Sequence, residues 1–399
     1  MSVVIALAPQ ADGQAPLLAG RLSPPAIVTP APREVSFGEV SGRVSAGTTR
    51  VRVFVDGRLQ LSRSIAGPAS FSFELDLPPR DVRIRVVAEN ASGEQAGRTV
   101  EPVYGLPRAA RPIATRSSVE DSKLAARLRA LARAFPGTAA VYVRDLRTGR
   151  GAAWNARARF PAASTLKLAI AIEVMRSLAA PPPAGSSLDQ LLSAMLVYSD
   201  NEAANKLLVW LGGSTSGGAN RVNEMMRRLG IDDSAMYGGY EVATANPRPI
   251  PVEVNEQPDF GIGKYTTAWD LARLFRDLHM AASGLGPLPR AGESFGPADA
   301  RYLLWTLAHV ADTGKLDRLL PAHTPVLHKA GWLDDARHDA GLVYWANGSF
   351  VATVMTWRAS GVGSSSDVLA GQIARAAFNR FRELRTVGAP VSGERVSGA

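Results

Sequence analysis

Cysteine is absent from the 399 residues, which excludes disulfides, thiolate nucleophiles and Cys-ligated zinc. That absence does not assign a compartment, because a chain without disulfides suits an oxidising or a reducing one. Histidine is scarce. The five residues, His279, His309, His323, His328 and His338, show no paired ligand spacing, so neither a metal nor another cofactor is expected. No run approaches the roughly 20 apolar residues of a membrane span. The stretch Val3 to Ala8 is apolar but short and has no basic residue before it, too little for a signal peptide. Either the true start lies upstream, the expectation preferred here, or an export signal is not visible in this sequence. A Gly-rich phosphate loop is also missing, and no G-x-S-x-G surrounds Ser164.

What is present is a chain that can bury a sizeable core, with 46% hydrophobic against 20% charged residues. Its length points to two domains. The net charge of +9 is spread along the sequence rather than gathered in a stripe, and no aromatic-basic RNA motif accompanies it. Nucleic acid is therefore not an expected partner. Attraction to an anionic cell wall, or simply a solvated basic surface, accounts for the charge.

Residues 1 to 32, rich in Pro, Ala and Gly, read as a flexible lead. Period-two alternation then begins with Val51, Val53 and Val55, an Asp56-Gly57 hairpin turn, and the series Phe71, Phe73, Leu75, Leu77 and Val82, Ile84, Val86. Several short strands over residues 33–103 suggest a small all-β sandwich of immunoglobulin-like type, an accessory module with a possible cell-wall contact. Residues 104–116 read as a linker. The domain 117–388 opens with a helix start at Ser117-Ser118, its Glu120 and Asp121 in the first turn. Two strands, a long helical middle, a further helix, two more strands and a closing helix follow. Strands at both ends with helices between imply one sheet flanked by helices, an α/β or α+β layered domain. Residues 389–399 read as a tail.

Three motifs carry chemistry. Ser164-Thr165-Leu166-Lys167 opens a helix, with Lys167 one turn beyond Ser164. A serine hydroxyl attacks well only when a base removes its proton, and a lysine serves only if burial or a nearby cation leaves it partly neutral. Alone, S-x-x-K occurs by chance about once or twice in a chain this long. Ser199-Asp200-Asn201 lies between two helices. Its bland role is a cap; its functional one gives Ser199 a proton relay and Asn201 a hold on the lysine and a substrate amide. Lys329-Ala330-Gly331-Trp332 opens a strand: the lysine can meet a carboxylate, the glycine admits substrate backbone, and the next amide can complete an oxyanion hole.

In this order, the three motifs resemble the penicillin-recognising serine enzymes, the class A β-lactamases in particular, over about residues 117 to 388. FPAASTLK opening a helix, YSDNEAANKLL bridging two, and Tyr265-Thr266-Thr267 starting another extend the likeness. The resemblance implies a β-lactamase-like fold, acylation of Ser164 by a β-lactam or D-alanyl peptide, and recognition of a substrate carboxylate by Lys329. It implies a secreted or cell-envelope protein. Ala330 departs from the family, which places a hydroxyl there, and Trp332 stands where a small residue is usual. The family's water-activating glutamate has three candidates here, Glu241, Glu253 and Glu256. Only Glu253 has a side-chain amide four residues on, Gln257, so it is the expected deacylation base. Arg337 and His338 lie near where the family often has a basic residue facing the carboxylate. A D,D-peptidase and a slow-turnover binding module are the alternatives to a β-lactamase.

Overall fold

The computed structural model describes residues 22–114, 117–242, 250, 254, 256–261, 263–290 and 294–387. Glu253 and the 389–399 segment lie outside the described residues.

Eight strands come first: β1 (Ala26–Thr29), β2 (Glu34–Ser36), β3 (Glu39–Val44), β4 (Thr48–Val55), β5 (Arg58–Ser64), β6 (Ala69–Glu74), β7 (Asp81–Asn90) and β8 (Gln95–Gly105). They form a three-stranded sheet, β1-β3-β6, and a five-stranded one, β2-β8-β7-β4-β5. Val40, Val44 and Phe71 from the first meet Val51, Val53, Ile84 and Val86 from the second, which is what the alternation predicts. Asp56 (φ 48°) and Gly57 (φ 80°) make the tight turn between β4 and β5, where a left-handed pair suits the strand twist. Two boundaries differ from expectation. Ala26–Thr29, placed in the flexible lead, pairs with β3 as an edge strand. The supposed linker is anchored: Gly105 ends β8, and Leu106 and Ala110 are buried.

The rest of the chain is a layered α/β unit. Its elements are β9 (Val119–Glu120), α1 (Ser122–Arg133), β10 (Thr138–Asp145), β11 (Arg150–Trp154), β12 (Arg159–Pro161), α2 (Lys167–Arg176), α3 (Ser187–Val197), α4 (Asn201–Gly212), α5 (Thr215–Arg228), β13 (Tyr265–Thr267), α6 (Ala268–Ala281), α7 (Pro297–Leu307), β14 (Val326–Trp332), β15 (Ala336–Trp345), β16 (Gly348–Trp357) and α8 (Ser365–Val387). A six-stranded sheet, β14-β15-β16-β10-β11-β9, joins both ends of the unit and is antiparallel except for the β9–β11 pair. It is apolar on both faces. Val141, Val143, Phe350 and Val354 pack against Leu128 of α1 and Ile373 and Phe381 of α8, while Ala140, Tyr142, Leu342 and Met355 face the helical layer that holds α2 and α6.

The first helix starts later than the Ser117-Ser118 signal suggests, because Val119 and Glu120 pair with β11 and Asp121 is the cap, its Oδ1 accepting from Leu124 N at 3.0 Å. Helix α2 is buried all round, from Lys167 to Arg176, as suits a central helix. Each fully buried Leu, Ile or Val in it contributes about 1.5–3 kcal/mol.

The β module is docked on this unit. Arg33 pairs with Asp189 and stacks on Tyr302, and Arg301 reaches Glu34 at 2.8 Å. Asp81 accepts from Trp305 Nε1 at 3.1 Å and His309 Nε2 at 2.8 Å. Phe37 inserts against His279 and Tyr344, with ring centroids 5.8 and 6.3 Å away.

Candidate active site

Ser164 lies in the tight turn that leads into α2. Ala163 takes φ 46°, and Thr165 is locked by its amide and hydroxyl donating to Ala162 O (3.1 and 2.6 Å). Lys167 N donates to Ser164 O at 3.2 Å, so the turn runs directly into the helix. The serine sits half-buried in a cleft of about 710 Å3 whose lining includes Ser199, Asn201, Tyr240, Glu241, Lys264 and Trp332.

The Lys167 side chain is fully buried, because α2 is wrapped on every side. Its Nζ donates to Ser199 O (2.5 Å) and Asn201 Oδ1 (2.6 Å), lies 3.4 Å from Ser199 Oγ, and sits 4.5 Å from the Tyr240 ring centroid. Burial, helped by the charge of Lys329, pushes its pKa down to about 7, against the opposing pull of Asp200 and Glu241. Two of its partners are carbonyl-type oxygens that can only accept. A neutral amine satisfies both with its two N–H bonds and keeps a lone pair for a hydroxyl proton.

Ser199 bridges two lysines. Besides facing Lys167, its Oγ accepts from Lys329 Nζ at 2.9 Å. Ser199 holds φ 60°, a left-handed conformation that serine rarely adopts. The surrounding contacts maintain it: Asp200 N donates to Ala194 O at 3.1 Å, and Asp200 Oδ1 caps α4 through Ala203 N at 2.6 Å. Asp200 thus serves as the cap, and the Ser199 hydroxyl lies in the cleft between the two lysines.

Lys329 is three residues inside β14 rather than at its start, and it is almost fully buried. Its Nζ also donates to Ala330 O at 2.8 Å, and burial lowers its pKa to about 8. A Cβ on Gly331 would stand 2.7 Å from Ser164 N and 3.0 Å from Thr165 N, so only glycine lets the strand pass this close to the serine amide. Trp332 is 62% exposed and Tyr198 is 73% exposed; both line the cleft.

Both basic candidates beside the third motif are engaged within the protein. Arg337 Nε lies 2.9 Å from Asp367 at the start of α8, the helix on the sheet face opposite α2. His338 is buried, donates from Nε2 to Pro161 O (2.7 Å) and accepts at Nδ1 from Thr356 N (3.3 Å). Burial pushes its pKa down to about 4, which keeps it neutral. Ala330 adds no hydroxyl.

Among the described residues, the glutamate that lines the cleft is Glu241. Asn201 Nδ2 donates to its Oε1 at 2.8 Å, while Asn201 Oδ1 serves Lys167. Gln257, the amide that singled out Glu253, accepts at Oε1 from Arg159 N (3.3 Å) in β12, and Glu256 O accepts from Asn155 Nδ2 (3.0 Å). Sequence reasoning weighed Glu241 without choosing it, since its partner is forty residues away. Tyr240 and Lys264 went unnoticed; burial lowers the Lys264 pKa to about 8, and its Nζ lies 4.9 Å from the Tyr240 ring centroid. Among the described residues, no group of three or more His, Asp or Glu could hold a metal, and no helix is long and apolar enough to cross a membrane.

The sequence matches the β-lactamase enzyme family over residues 123–182 and 179–381. No protein of curated function matches it. Among solved structures it is similar to PBP-A, at 21% identity, a TM-score of 0.51 and coverage of 68% of this chain and 100% of that one. A β-lactamase from Sphaerobacter thermophilus aligns at 22% identity and TM-score 0.51, covering 66% and 98%. One from Streptosporangium roseum aligns at 19% and 0.52, covering 66% and 100%. At such identities the likeness speaks for the fold, whereas the family match spans more than half of the sequence. The chain belongs to the β-lactamase enzyme family.

Proposed function

We propose that the protein is a serine hydrolase acylated at Ser164 by β-lactams, whose lactam amide it then hydrolyses. The observation that carries this reading is the Lys167 amine, buried, close to neutrality and bonded to carbonyl oxygens through its N–H groups. Lys167 takes the Ser164 proton as Oγ attacks the lactam carbonyl. The Ser164 and Trp332 amides hold the developing oxyanion, which accounts for the glycine between strand and serine. As the C–N bond breaks, Ser199 passes a proton from Lys167 to the leaving nitrogen, and Lys329 faces the substrate carboxylate. Glu241, oriented by Asn201, deprotonates the water that releases the acyl group. Glu253, the base expected from the sequence, lies outside the described residues, and Glu241 is the proposed alternative.

The reading implies a secreted or cell-envelope setting, where such substrates are met. The β module, of immunoglobulin-like type in this proposal, would serve there as an accessory contact. The open cleft between Tyr198 and Trp332 favours one second reading, acylation by a D-alanyl peptide with the same machinery.

Incubation with a fluorescent penicillin followed by a denaturing gel tests the first step. Label is expected on the wild type and none on Ser164→Ala, and Lys167→Ala should acylate several orders of magnitude more slowly. An unlabelled wild type ends both readings. Adduct lifetimes of minutes or less support the β-lactamase; lifetimes of hours support the peptidase.

A further inference from the structure

The positive charge, dispersed in the sequence, is gathered in space. Helix α1 carries Lys123, Arg127, Arg129 and Arg133 and no acid; α8 carries Arg375, Arg380, Arg382 and Arg385 against Asp367 and Glu383. The two helices pack side by side on the sheet face opposite α2 and α6. Between them runs a groove of about 320 Å3, with Lys123 and Arg127 on one wall, Arg375 and Arg380 on the other, and the exposed amides of Gln372 and Asn379 alongside. Arg380 is engaged by Asp121 (2.9 Å) and by Glu383 (3.3 Å), the one acid in the lining. Lys123 and Arg127 are exposed, and Arg375 is oriented by its Nη1 donating to Leu319 O at 3.1 Å.

We infer that the α1–α8 groove binds a linear polyanion of phosphodiester-linked polyol units, leaving the catalytic cleft free on the other side of the sheet. Guanidinium forks and side-chain amides are donors matched to phosphate oxygens. Cations on two facing walls suit a chain lying along the groove, whereas a planar bilayer would meet only the tips. Among the described residues, none of the exposed large apolar side chains lines the groove to insert into lipid. Stacked bases would need an open aromatic platform. Trp154, the aromatic ring beside α1, is covered by Arg129 and Arg133 at 5.5 and 4.8 Å.

Fluorescence anisotropy of a labelled poly(glycerol phosphate) with the full chain tests this. Three cations not held by an acid give a log–log salt slope of about −2, a loss of about 20-fold in affinity from 50 to 200 mM salt. In the triple variant Lys123→Gln, Arg127→Gln, Arg375→Gln the affinity should fall at least about 10-fold and the slope should approach zero. Arg58→Gln with Arg63→Gln, two exposed cations on β5, should bind as the wild type does. A folded triple variant that binds normally overturns the proposal. So does an equal loss in the β5 control, or tighter binding of phosphatidylglycerol vesicles or duplex DNA than of the polymer. Should the triple variant fail to fold, each single variant is expected to reduce the slope by about 0.7, and three unchanged slopes overturn it too.

Discussion

Lys329 donates to Ser199 Oγ at 2.9 Å, and so, in the proposed mechanism, ties the lysine assigned to the substrate carboxylate to the hydroxyl assigned to the leaving nitrogen. Because the same hydroxyl lies 3.4 Å from Lys167, the two buried amines share one relay atom but need opposite charge states. Lys167 must be neutral to act, whereas Lys329 must be charged to hold an anion.

The acylation rate should therefore trace a narrow bell. It rises with pH as Lys167 loses its proton near 7 and falls as Lys329 loses its own near 8. Second-order acylation constants from pH 5 to 10 check this. Lys329→Arg keeps its charge and should remove the alkaline limb; a limb that survives would assign it to another group.

Glu241→Gln should leave acylation nearly intact and lengthen the adduct lifetime by about 10²–10⁴-fold, the usual worth of a positioned base. Glu253→Gln, followed by the same gel assay, should not change the lifetime. The reverse outcome would restore Glu253 to the role.

Gly331→Ala places a carbon 2.7 Å from Ser164 N. Displacing that amide should cost about 10²–10³-fold in acylation, as for other oxyanion donors. Overpacking should destabilise the fold by about 1–3 kcal/mol. Acylation kinetics together with thermal melts measure both; a wild-type rate would show that the amide is not used.

At the seam between module and catalytic unit, His309 Nε2 faces Asp81 and Nδ1 faces Trp305 O at 2.7 Å, two acceptors that together call for a doubly protonated ring. Burial opposes the charge, yet these bonds raise the pKa above its ordinary 6.5. Burial likewise opposes ionised Asp81, but His309 and Trp305 lower it below 3.8. The His309 contribution is complete below 6.5 and vanishes as pH climbs through the raised value; that of Asp81 is complete above 3.8 and vanishes as pH drops through the lowered one. Melting temperature should then be favoured between about pH 4 and 6.5, and His309→Gln should lose that advantage. Identical pH profiles for the two proteins would sink the idea.

The candidate site was legible where it is local. S-x-x-K, S-D-N and the lysine-glycine strand each sit within a few residues, and side-chain alternation placed the strands. Distance in sequence hid the rest. Nothing near Glu241 announces Asn201, and nothing near Lys167 announces the Tyr240 ring. The charge of α1 and α8 looked dispersed because the helices that bring it together are more than 200 residues apart. Ser117-Ser118 resembled a helix start, but pairing with β11 won over local propensity, and Asp121 took the cap.

Phe37 belongs by sequence to the β module, yet its ring rests on His279 and Tyr344 in the catalytic unit's interior. Cutting the chain after the module would strip that cover, wet an apolar seat beside the helical layer and strand Asp189 and Asp81's partners without their counterparts. The two halves thus share one packed seam, and on that side the module completes the surface of the catalytic half.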